Sequence, residues 1–145
     1  MDEDFIKLAI NEAKKSFKDG EKTPFGAVIV KNDVVISIAH NTARQTFDPT
    51  NHAEINAIRK ACQKLKNHHL SDCTLYTTCE PCVMCFAAAW WAKIPKIIYG
   101  VKLNDVVKKG QREIDVNCQF LNEKSGSVVE MKSEVLREEC LRLFE

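Results

Sequence analysis

Apolar residues recur at helical spacing in four segments of the chain. These segments are 4–18, 53–66, 81–91 and 134–144, and Asp19-Gly20 stops the first of them. Residues three and four positions apart share one face of a helix, so each segment predicts a helix with an apolar face. Pro81 suits the first turn of the third helix, because proline lacks the N–H that a helix start leaves unpaired.

Short apolar runs between these segments predict strands. The runs are 25–30, 34–39, 73–78 and 96–100, and 128–131 predicts an edge strand. Lys31-Asn32-Asp33 is a tight-turn signal, so the first two runs predict an antiparallel hairpin. Strands and helices alternate through the middle of the chain, which predicts an α/β fold with helices covering a mixed sheet.

Length and composition limit the class of protein. A chain of 145 residues predicts a single domain, 1–145, with one site per subunit. No apolar run approaches the roughly 18 residues of a membrane span. The acidic start Met1-Asp2-Glu3-Asp4 is unlike a secretory signal, so we expect a cytoplasmic protein with no membrane partner. The net charge of +1 provides no strong electrostatic signature of nucleic-acid binding.

The cysteines point to a metal rather than to disulfides. Their number, seven, is odd, and in a cytosolic protein they are expected to be buried thiols or metal ligands. Cys82 and Cys85 lie three apart at a predicted helix start, where their sulfurs face one way and the helix dipole lowers thiol pKa values. His52 supplies a third ligand from the facing helix. Three protein ligands leave the fourth position for water, so we expect one catalytic Zn²⁺ per subunit.

Glu54, two residues after His52, predicts the chemistry. A carboxylate beside zinc-bound water can act first as a base and then as an acid. The pattern H-x-E followed by P-C-x-x-C is the signature of the zinc deaminases, and every position of it is present here. We therefore predict that Glu54 is the catalytic proton shuttle of a hydrolytic deaminase that acts on a nucleobase-type ring.

A closed structural zinc site is the alternative from a different class of protein. Cys79 lies three residues before Cys82, so His52 and three cysteines could bind zinc without a water position. The protein would then be a non-catalytic, zinc-stabilised interaction module. Because Pro81 separates Cys79 from the helix and Glu54 would have no role, we favour the catalytic interpretation.

Residues 24–100 resemble the cytidine deaminase superfamily, in its branch of guanine, cytosine and tRNA adenosine deaminases. The resemblance is carried by Pro24-Phe25-Gly26-Ala27-Val28, Asp48-Pro49-Thr50-Asn51-His52-Ala53-Glu54 and Cys79-Glu80-Pro81-Cys82-Val83-Met84-Cys85. It implies a three-layer α/β/α fold around a five-stranded mixed sheet, a homodimer, and a small nucleobase as substrate.

Within this branch, single positions favour the guanine deaminases. Cys79 stands where the tRNA enzymes typically carry Leu, and Phe25 stands where they carry a small aliphatic residue. Phe25 could stack on a purine, with plain core packing as the alternative. Asn41 matches a position that holds the ring edge of the base, although Asn also suits a turn there. Ala53 is expected to border the pocket, and Glu113 lies near an additional acidic residue of the guanine enzymes, with a solvated charge as its alternative.

The C-terminal part favours a different relative. The guanine enzymes carry a longer tail that closes the site, whereas 128–144, with Glu138-Glu139-Cys140, resembles the end of a tRNA adenosine deaminase. The leading prediction is guanine conversion to xanthine and ammonia. The alternatives are adenosine-to-inosine conversion in a tRNA anticodon loop and deamination of cytosine or another small heterocycle. The tRNA alternative requires a phosphate-binding surface, with candidates Lys14, Lys15, Lys18, Lys102, Lys108, Lys109 and Arg112.

Overall fold

A computed structural model describes residues 1–145 as an α/β fold built on one five-stranded mixed sheet. Its strands are β1 (Gly26–Lys31), β2 (Val34–His40), β3 (Cys73–Cys79), β4 (Lys96–Val101) and β5 (Glu130–Lys132), in the order β2-β1-β3-β4-β5. Strand β1 is antiparallel to β2 and β3, whereas β3, β4 and β5 run parallel. The predicted mixed sheet of five strands is confirmed.

Eight helices accompany the sheet. They are α1 (Asp2–Ala13), α2 (Lys15–Lys18), α3 (Ala43–Thr46), α4 (Ala53–Leu65), α5 (Val83–Trp91), α6 (Leu103–Val107), α7 (Cys118–Lys124) and α8 (Arg137–Leu141), with a 3₁₀ turn at Arg142–Phe144. None of these helices combines the length and the apolar character that a bilayer crossing requires.

Alternate residues of the strands pack into two separate cores, one on each face of the sheet. Ile29, Leu75 and Ile97 are buried with α4, α5 and α7 on one face. Their neighbours Val28 and Ile98 are buried with α1 and α8 on the other face. This alternation follows from the two-residue period of a strand. The sheet is therefore the middle layer of the predicted three-layer α/β/α fold.

The turn between β1 and β2 explains why the predicted hairpin forms. Asn32 and Asp33 both take left-handed backbone conformations, with φ of 49° and 62°. Two consecutive residues with positive φ match the right-handed twist of the flanking strands, and Asn and Asp tolerate that conformation. The register then aligns Gly26 with His40, so the end of β2 lies beside the start of β1.

Glycine at position 100 allows α8 to pack closely on the sheet. A Cβ atom there would lie 2.3 Å from Sγ of Cys140 and 2.8 Å from the carbonyl oxygen of Thr78. Both separations are shorter than any real contact of a Cβ atom, so only the missing side chain permits this approach. Cys140 is fully buried, as its predicted role as a small core residue requires.

Three helix boundaries differ from the predictions. The predicted 4–18 helix is divided at Lys14 into α1 and α2, and α5 begins at Val83 because Cys82 has extended backbone angles. The final helix begins at Arg137 rather than at 134, since Glu134 and Leu136 have φ of 64° and 52°. Left-handed residues interrupt a right-handed helix, which the apolar periodicity alone does not reveal.

Candidate active site

The three predicted metal ligands converge at the starts of two helices. His52 and Cys82 are the N-cap residues of α4 and α5, and neither side chain caps its own helix. Nδ1 of His52 lies 3.7 Å from Sγ of Cys82 and 3.6 Å from Sγ of Cys85. A tetrahedral zinc ion, with Zn–S of about 2.3 Å and Zn–N of about 2.0–2.1 Å, requires an N···S separation of about 3.6 Å. The donor set therefore fits tetrahedral zinc.

The electrostatics of Cys82 also suit a metal ligand, whereas the hydrogen bond with Cys82, and then burial, raise the pKa of Cys85. A hydrogen bond from the Cys85 thiol, together with one from His52, outweighs burial and lowers the pKa of Cys82 to about 4. Zinc binds the thiolate form of cysteine, so Cys82 is available as a ligand at neutral pH without a further proton loss.

Cys79 lies outside the metal cluster. The group of side chains whose ligand atoms all lie within 4.8 Å of one another contains His52, Cys82 and Cys85 alone. Burial raises the pKa of Cys79 well above its ordinary value, which keeps this residue in the thiol form. The structure therefore does not place Cys79 with the other three residues as the fourth ligand that a closed site requires.

Glu54 is held next to the cluster by the first turn of α4. Its side chain is only 7% exposed. Burial, and then the negative charge of Cys82, raise the pKa of Glu54 to about 7. A carboxyl group with a pKa near the working pH exchanges protons readily in both directions, as an acid–base shuttle must.

A cavity of about 110 Å³ opens beside these residues. Its lining residues come from the ends of strands β2 and β3, the starts of helices α4 to α6, and the segments before β1 and after α6. They are Thr23, Phe25, Asn41, His52, Glu54, Cys79, Glu80, Cys82, Leu103, Gln111, Arg112 and Glu113. The predicted residues Phe25, Asn41 and Glu113 are thus brought to the metal cluster. Ala53, between His52 and Glu54, is not among the lining residues, and its side chain is fully buried in the core, so its predicted place at the border of the pocket stays a prediction for its backbone.

Asn41 is held in a fixed orientation at the cavity. Its Nδ2 donates a hydrogen bond to Oγ1 of Thr23, and its Oδ1 accepts one from the backbone N–H of Ala43 at 2.9 Å. The second bond is the local turn interaction that the alternative interpretation predicted. An amide has two N–H donors and two acceptor lone pairs, so both faces of Asn41 retain capacity for a ligand.

Phe25 belongs to the core and also faces the cavity, so its predicted stacking on a purine stays a prediction. The ring is half-buried, touches both cores and lines the cavity. On its other side it packs against Phe144, with ring centroids 5.5 Å apart and planes inclined at 56°. Tilted aromatic pairs of this kind are favourable and restrict ring motion. The C-terminal 3₁₀ turn therefore supports one wall of the cavity.

Glu113 presents a carboxylate to the cavity from the segment between α6 and α7. The residue is half-buried, and its carboxylate accepts no hydrogen bond from the protein. Burial, and then the charge of Cys82, raise the pKa of Glu113, while His52 opposes that shift. The side chain is thus close to the metal cluster rather than a distant solvated charge.

Glu80 is the main site residue that sequence reasoning missed. It is 5% exposed, and its carboxylate accepts hydrogen bonds from the backbone N–H groups of Leu103 at 3.1 Å and Cys118 at 2.7 Å. These bonds fasten both ends of the segment that carries Glu113. A carboxylate directly before Pro81, at the end of a predicted buried strand, was the available signal.

Comparison with known proteins defines the class. Residues 1–101 match the model of the cytidine and deoxycytidylate deaminase zinc-binding region. The chain therefore belongs to this family of zinc-type deaminases, as the signature residues predicted.

Individual relatives differ in substrate. The guanine deaminase of Bacillus subtilis (strain 168) is 44% identical over 108 residues, which cover 74% of this chain and 69% of the relative. The tRNA-specific adenosine deaminase of Buchnera aphidicola subsp. Baizongia pistaciae is 38% identical over 143 residues, or 99% of this chain and 85% of the relative. The match to guanine deaminase is stronger, whereas that to the tRNA enzyme is longer.

Solved structures show the same division. A structure from a study of A-to-I editing by tRNA:A34 deaminases has a TM-score of 0.82 at 30% identity and covers 96% of this chain and 97% of its own. The guanine deaminase structure from Bacillus subtilis has a TM-score of 0.73 at 42% identity, and the match covers 77% of this chain and 71% of that structure's chain. The fold and the deaminase class are common to both groups.

Proposed function

We propose that this chain hydrolyses guanine to xanthine and ammonia, with one Zn²⁺ per subunit. The observation that carries the proposal is the free carboxylate of Glu113, which lines the same small cavity as the metal cluster. A carboxylate accepts hydrogen bonds and, when ionised, donates none. It therefore selects a ring that presents an N–H group.

Guanine and adenosine differ in this respect. In guanine, ring nitrogen N1 carries a hydrogen and lies next to C2, the carbon that bears the departing amine. In adenosine, N1 is the one ring nitrogen beside C6, the amine-bearing carbon, and it carries no hydrogen, so its lone pair would face the carboxylate. An unpaired buried polar group costs about 1–3 kcal/mol, and a charged one costs more. Glu113 thus favours guanine.

The other cavity residues hold the ring in place. Phe25 provides an aromatic face, braced from behind by Phe144, against which a planar base stacks. Asn41, fixed by Thr23 and Ala43, offers an amide to the ring edge. The cavity of about 110 Å³ is small, which suits a single base.

Glu54 moves the protons. It takes a proton from the attacking water, delivers it to a ring nitrogen, and then protonates the leaving amine so that ammonia departs. Its burial and its pKa of about 7 suit both directions of transfer. When bound, zinc acidifies water toward a pKa of about 7 and polarises the reacting group.

Adenosine deamination in tRNA is the second candidate, and one observation favours it. The tRNA-specific relative matches 99% of this chain, including α7 and α8, whereas the match to guanine deaminase covers 74%. Against it, two of the predicted phosphate contacts are neutralised within the chain. Lys15 pairs with Glu12 at 3.0 Å, and Lys102 pairs with Glu134 at 3.5 Å.

A panel assay tests the proposal. Ammonia release is measured from guanine, adenine, cytosine and their nucleosides, and inosine is measured in a tRNA substrate. We expect xanthine from guanine at a kcat/KM at least tenfold above that of any other free base. Activity on tRNA with none on guanine would reverse the order of the two candidates. We also predict that metal analysis gives one zinc per chain and that the protein sediments as a homodimer.

A further inference from the structure

Asn56, on the first turns of α4, has no part in the reaction described above and does not line the cavity. Successive residues of an α-helix are about 100° apart around its axis, so Asn56 lies roughly opposite Glu54, two positions earlier. Its side chain faces instead the segment between β2 and α4. This segment begins at Asn41 and ends at His52, which both line the cavity.

Three oxygen atoms of that segment and its flanks surround Nδ2 of Asn56. The nitrogen lies 3.0 Å from the carbonyl oxygen of His40, 2.9 Å from Oγ1 of Thr42 and 3.2 Å from the carbonyl oxygen of Asn51. Carbonyl oxygens only accept hydrogen bonds, so the atom that faces them is the amide nitrogen and not the amide oxygen. The amide has two hydrogens for three acceptors, so one hydrogen is shared. A single side chain thus donates to both ends of the segment.

The three acceptors flank the two functional residues of the segment. His40 and Thr42 are the chain neighbours of Asn41, and Asn51 directly precedes His52. The backbone joins the same two ends at one point, where the N–H of Thr42 donates to the carbonyl oxygen of Asn51 at 3.0 Å. The amide on α4 adds hydrogen bonds on both sides of Asn41, and these restrict its backbone relative to the helix that begins at His52.

We infer that Asn56 is a positioning residue, which fixes the amide of Asn41 relative to the metal ligand His52 and to the proton shuttle Glu54. Because Asn56 and Glu54 lie on the same helix, a ring held by Asn41 meets Glu54 at a constant distance. Small displacements of a reacting group are costly, since a misplacement of about 1 Å can lower a rate on the order of 10²-fold. The inference rests on the proposed function, in which Asn41 contacts the edge of the base.

The primary experiment removes the donor. Asn56→Leu keeps the approximate size of the side chain, and the three metal ligands stay intact. We expect KM for guanine to rise at least tenfold, with zinc content at the wild-type level. Gln63→Leu, the same loss of an amide at an exposed position of α4, is the matched control and should change KM less than twofold. An unchanged KM in Asn56→Leu overturns the inference and leaves the guanine activity standing.

A double-mutant cycle with Asn41 separates positioning from a general effect on the fold. Asn41→Ala removes the contact with the base and should raise KM by itself. If Asn56 acts through Asn41, the addition of Asn56→Leu to Asn41→Ala should raise KM less than twofold further. If the two effects multiply, Asn56 acts on the fold as a whole, and the inference is wrong.

Asn56→Ser covers the case in which Asn56→Leu does not fold. Serine keeps one O–H donor on a shorter side chain, so KM should rise at least threefold, and the same cycle is measured with this variant. A multiplied effect in that cycle contradicts the inference in the same way.

Hydrogen exchange provides a measurement that needs no substrate. The backbone amide of Thr42 should exchange at least tenfold faster in the Asn56 variant than in the wild type, while the amides of β3 keep their rates. Unchanged exchange at Thr42 overturns the inference. Absence of guanine turnover in the wild type is a different result: it overturns the proposed function, and the cycle is then measured with the base that is deaminated.

Discussion

The carboxylate of Glu80 accepts a 2.7 Å hydrogen bond from the backbone N–H of Cys118, thirty-eight positions later in the chain. Its other oxygen accepts from the N–H of Leu103 at 3.1 Å. The end of β3 is thereby joined to the starts of both α6 and α7. The intervening segment, which carries Gln111, Arg112 and Glu113 to the cavity, is tethered at its two ends by a single side chain.

Replacement of Glu80 tests this tether. In Glu80→Gln one oxygen becomes an N–H donor that faces a backbone N–H, so a hydrogen bond to a charged group is lost, at a cost of about 1.5–3 kcal/mol. We expect a lower free energy of unfolding in urea and a higher KM for guanine, with kcat less affected. Glu123→Gln, on the exposed surface of α7, is the control. Unchanged KM and stability would show that the two hydrogen bonds contribute nothing.

The separation of metal binding from proton transfer is tested at Glu54. Glu54→Gln retains the size of the side chain and leaves the three ligands intact, so zinc content should stay at the wild-type level. Turnover should fall at least 10²-fold, the range expected when a general acid–base group is lost. Cys82→Ser should instead lose the metal, measured by elemental analysis of dialysed protein. Near-normal ammonia release from Glu54→Gln would disprove its role.

Specificity for the base is tested at Glu113. The amide of Glu113→Gln offers a neutral, weaker acceptor to the N–H of guanine. Loss of a charge-assisted hydrogen bond of about 1.5–3 kcal/mol corresponds to a roughly tenfold to hundredfold decrease in kcat/KM. We expect that decrease for guanine and no decrease for adenosine. An equal decrease for both compounds would indicate a structural role rather than a selective one.

Acid stability is tested at the contact of α1 with the end of β2. Burial raises the pKa of Glu12, but hydrogen bonds with His40 at 2.6 Å and with Lys15 outweigh it and lower that pKa below its ordinary value. Asp19 faces the other ring nitrogen of His40 at 3.3 Å. A lowered folded-state pKa stabilises the fold fully above the ordinary pKa of Glu, and this contribution is lost as pH falls through the folded value.

The Tm of Glu12→Gln should therefore change less with pH, between pH 3 and 7, than the Tm of the wild type. Its Tm should lie below that of the wild type at pH 7, and the two should converge as the pH approaches 3. Differential scanning calorimetry between pH 3 and 7 measures both curves. Glu3→Gln, at an exposed position of the same helix, should follow the wild type. A constant difference in Tm across that range would contradict the assignment.

Close packing of α8 is tested at Gly100. The Cβ atom of Gly100→Ala would meet Sγ of Cys140 at 2.3 Å and the carbonyl oxygen of Thr78 at 2.8 Å. Overpacking of this kind costs about 1–3 kcal/mol. Adding Cys140→Ala removes the sulfur but not the backbone oxygen, so the double variant should recover only part of the lost stability. Full recovery of stability would show that β4 moves away from the carbonyl oxygen of Thr78 without cost.

Features that depend on residues close together in the sequence could be predicted, whereas features that depend on residues far apart in the chain could not. Cys82 and Cys85 could be placed because they lie three apart at a helix start, and His52 because Glu54 follows it at the spacing of the zinc-deaminase pattern. Glu80 and the 102–117 segment could not, because their positions depend on hydrogen bonds between residues far apart in the chain. That segment also lacks the regular apolar period that marks a helix or strand, so α6 and α7 were not predicted.

Two helix starts, those of α4 and α5, share the three metal ligands. Both helices lie in the same core, where Ala57 and Ala89 are fully buried. Metal binding therefore joins two elements that already pack together, and it acts on their first turns. In a hydrogen-exchange experiment, a chelator should accelerate exchange of the backbone amides at these two helix starts while those of β1 and β3 keep their protection.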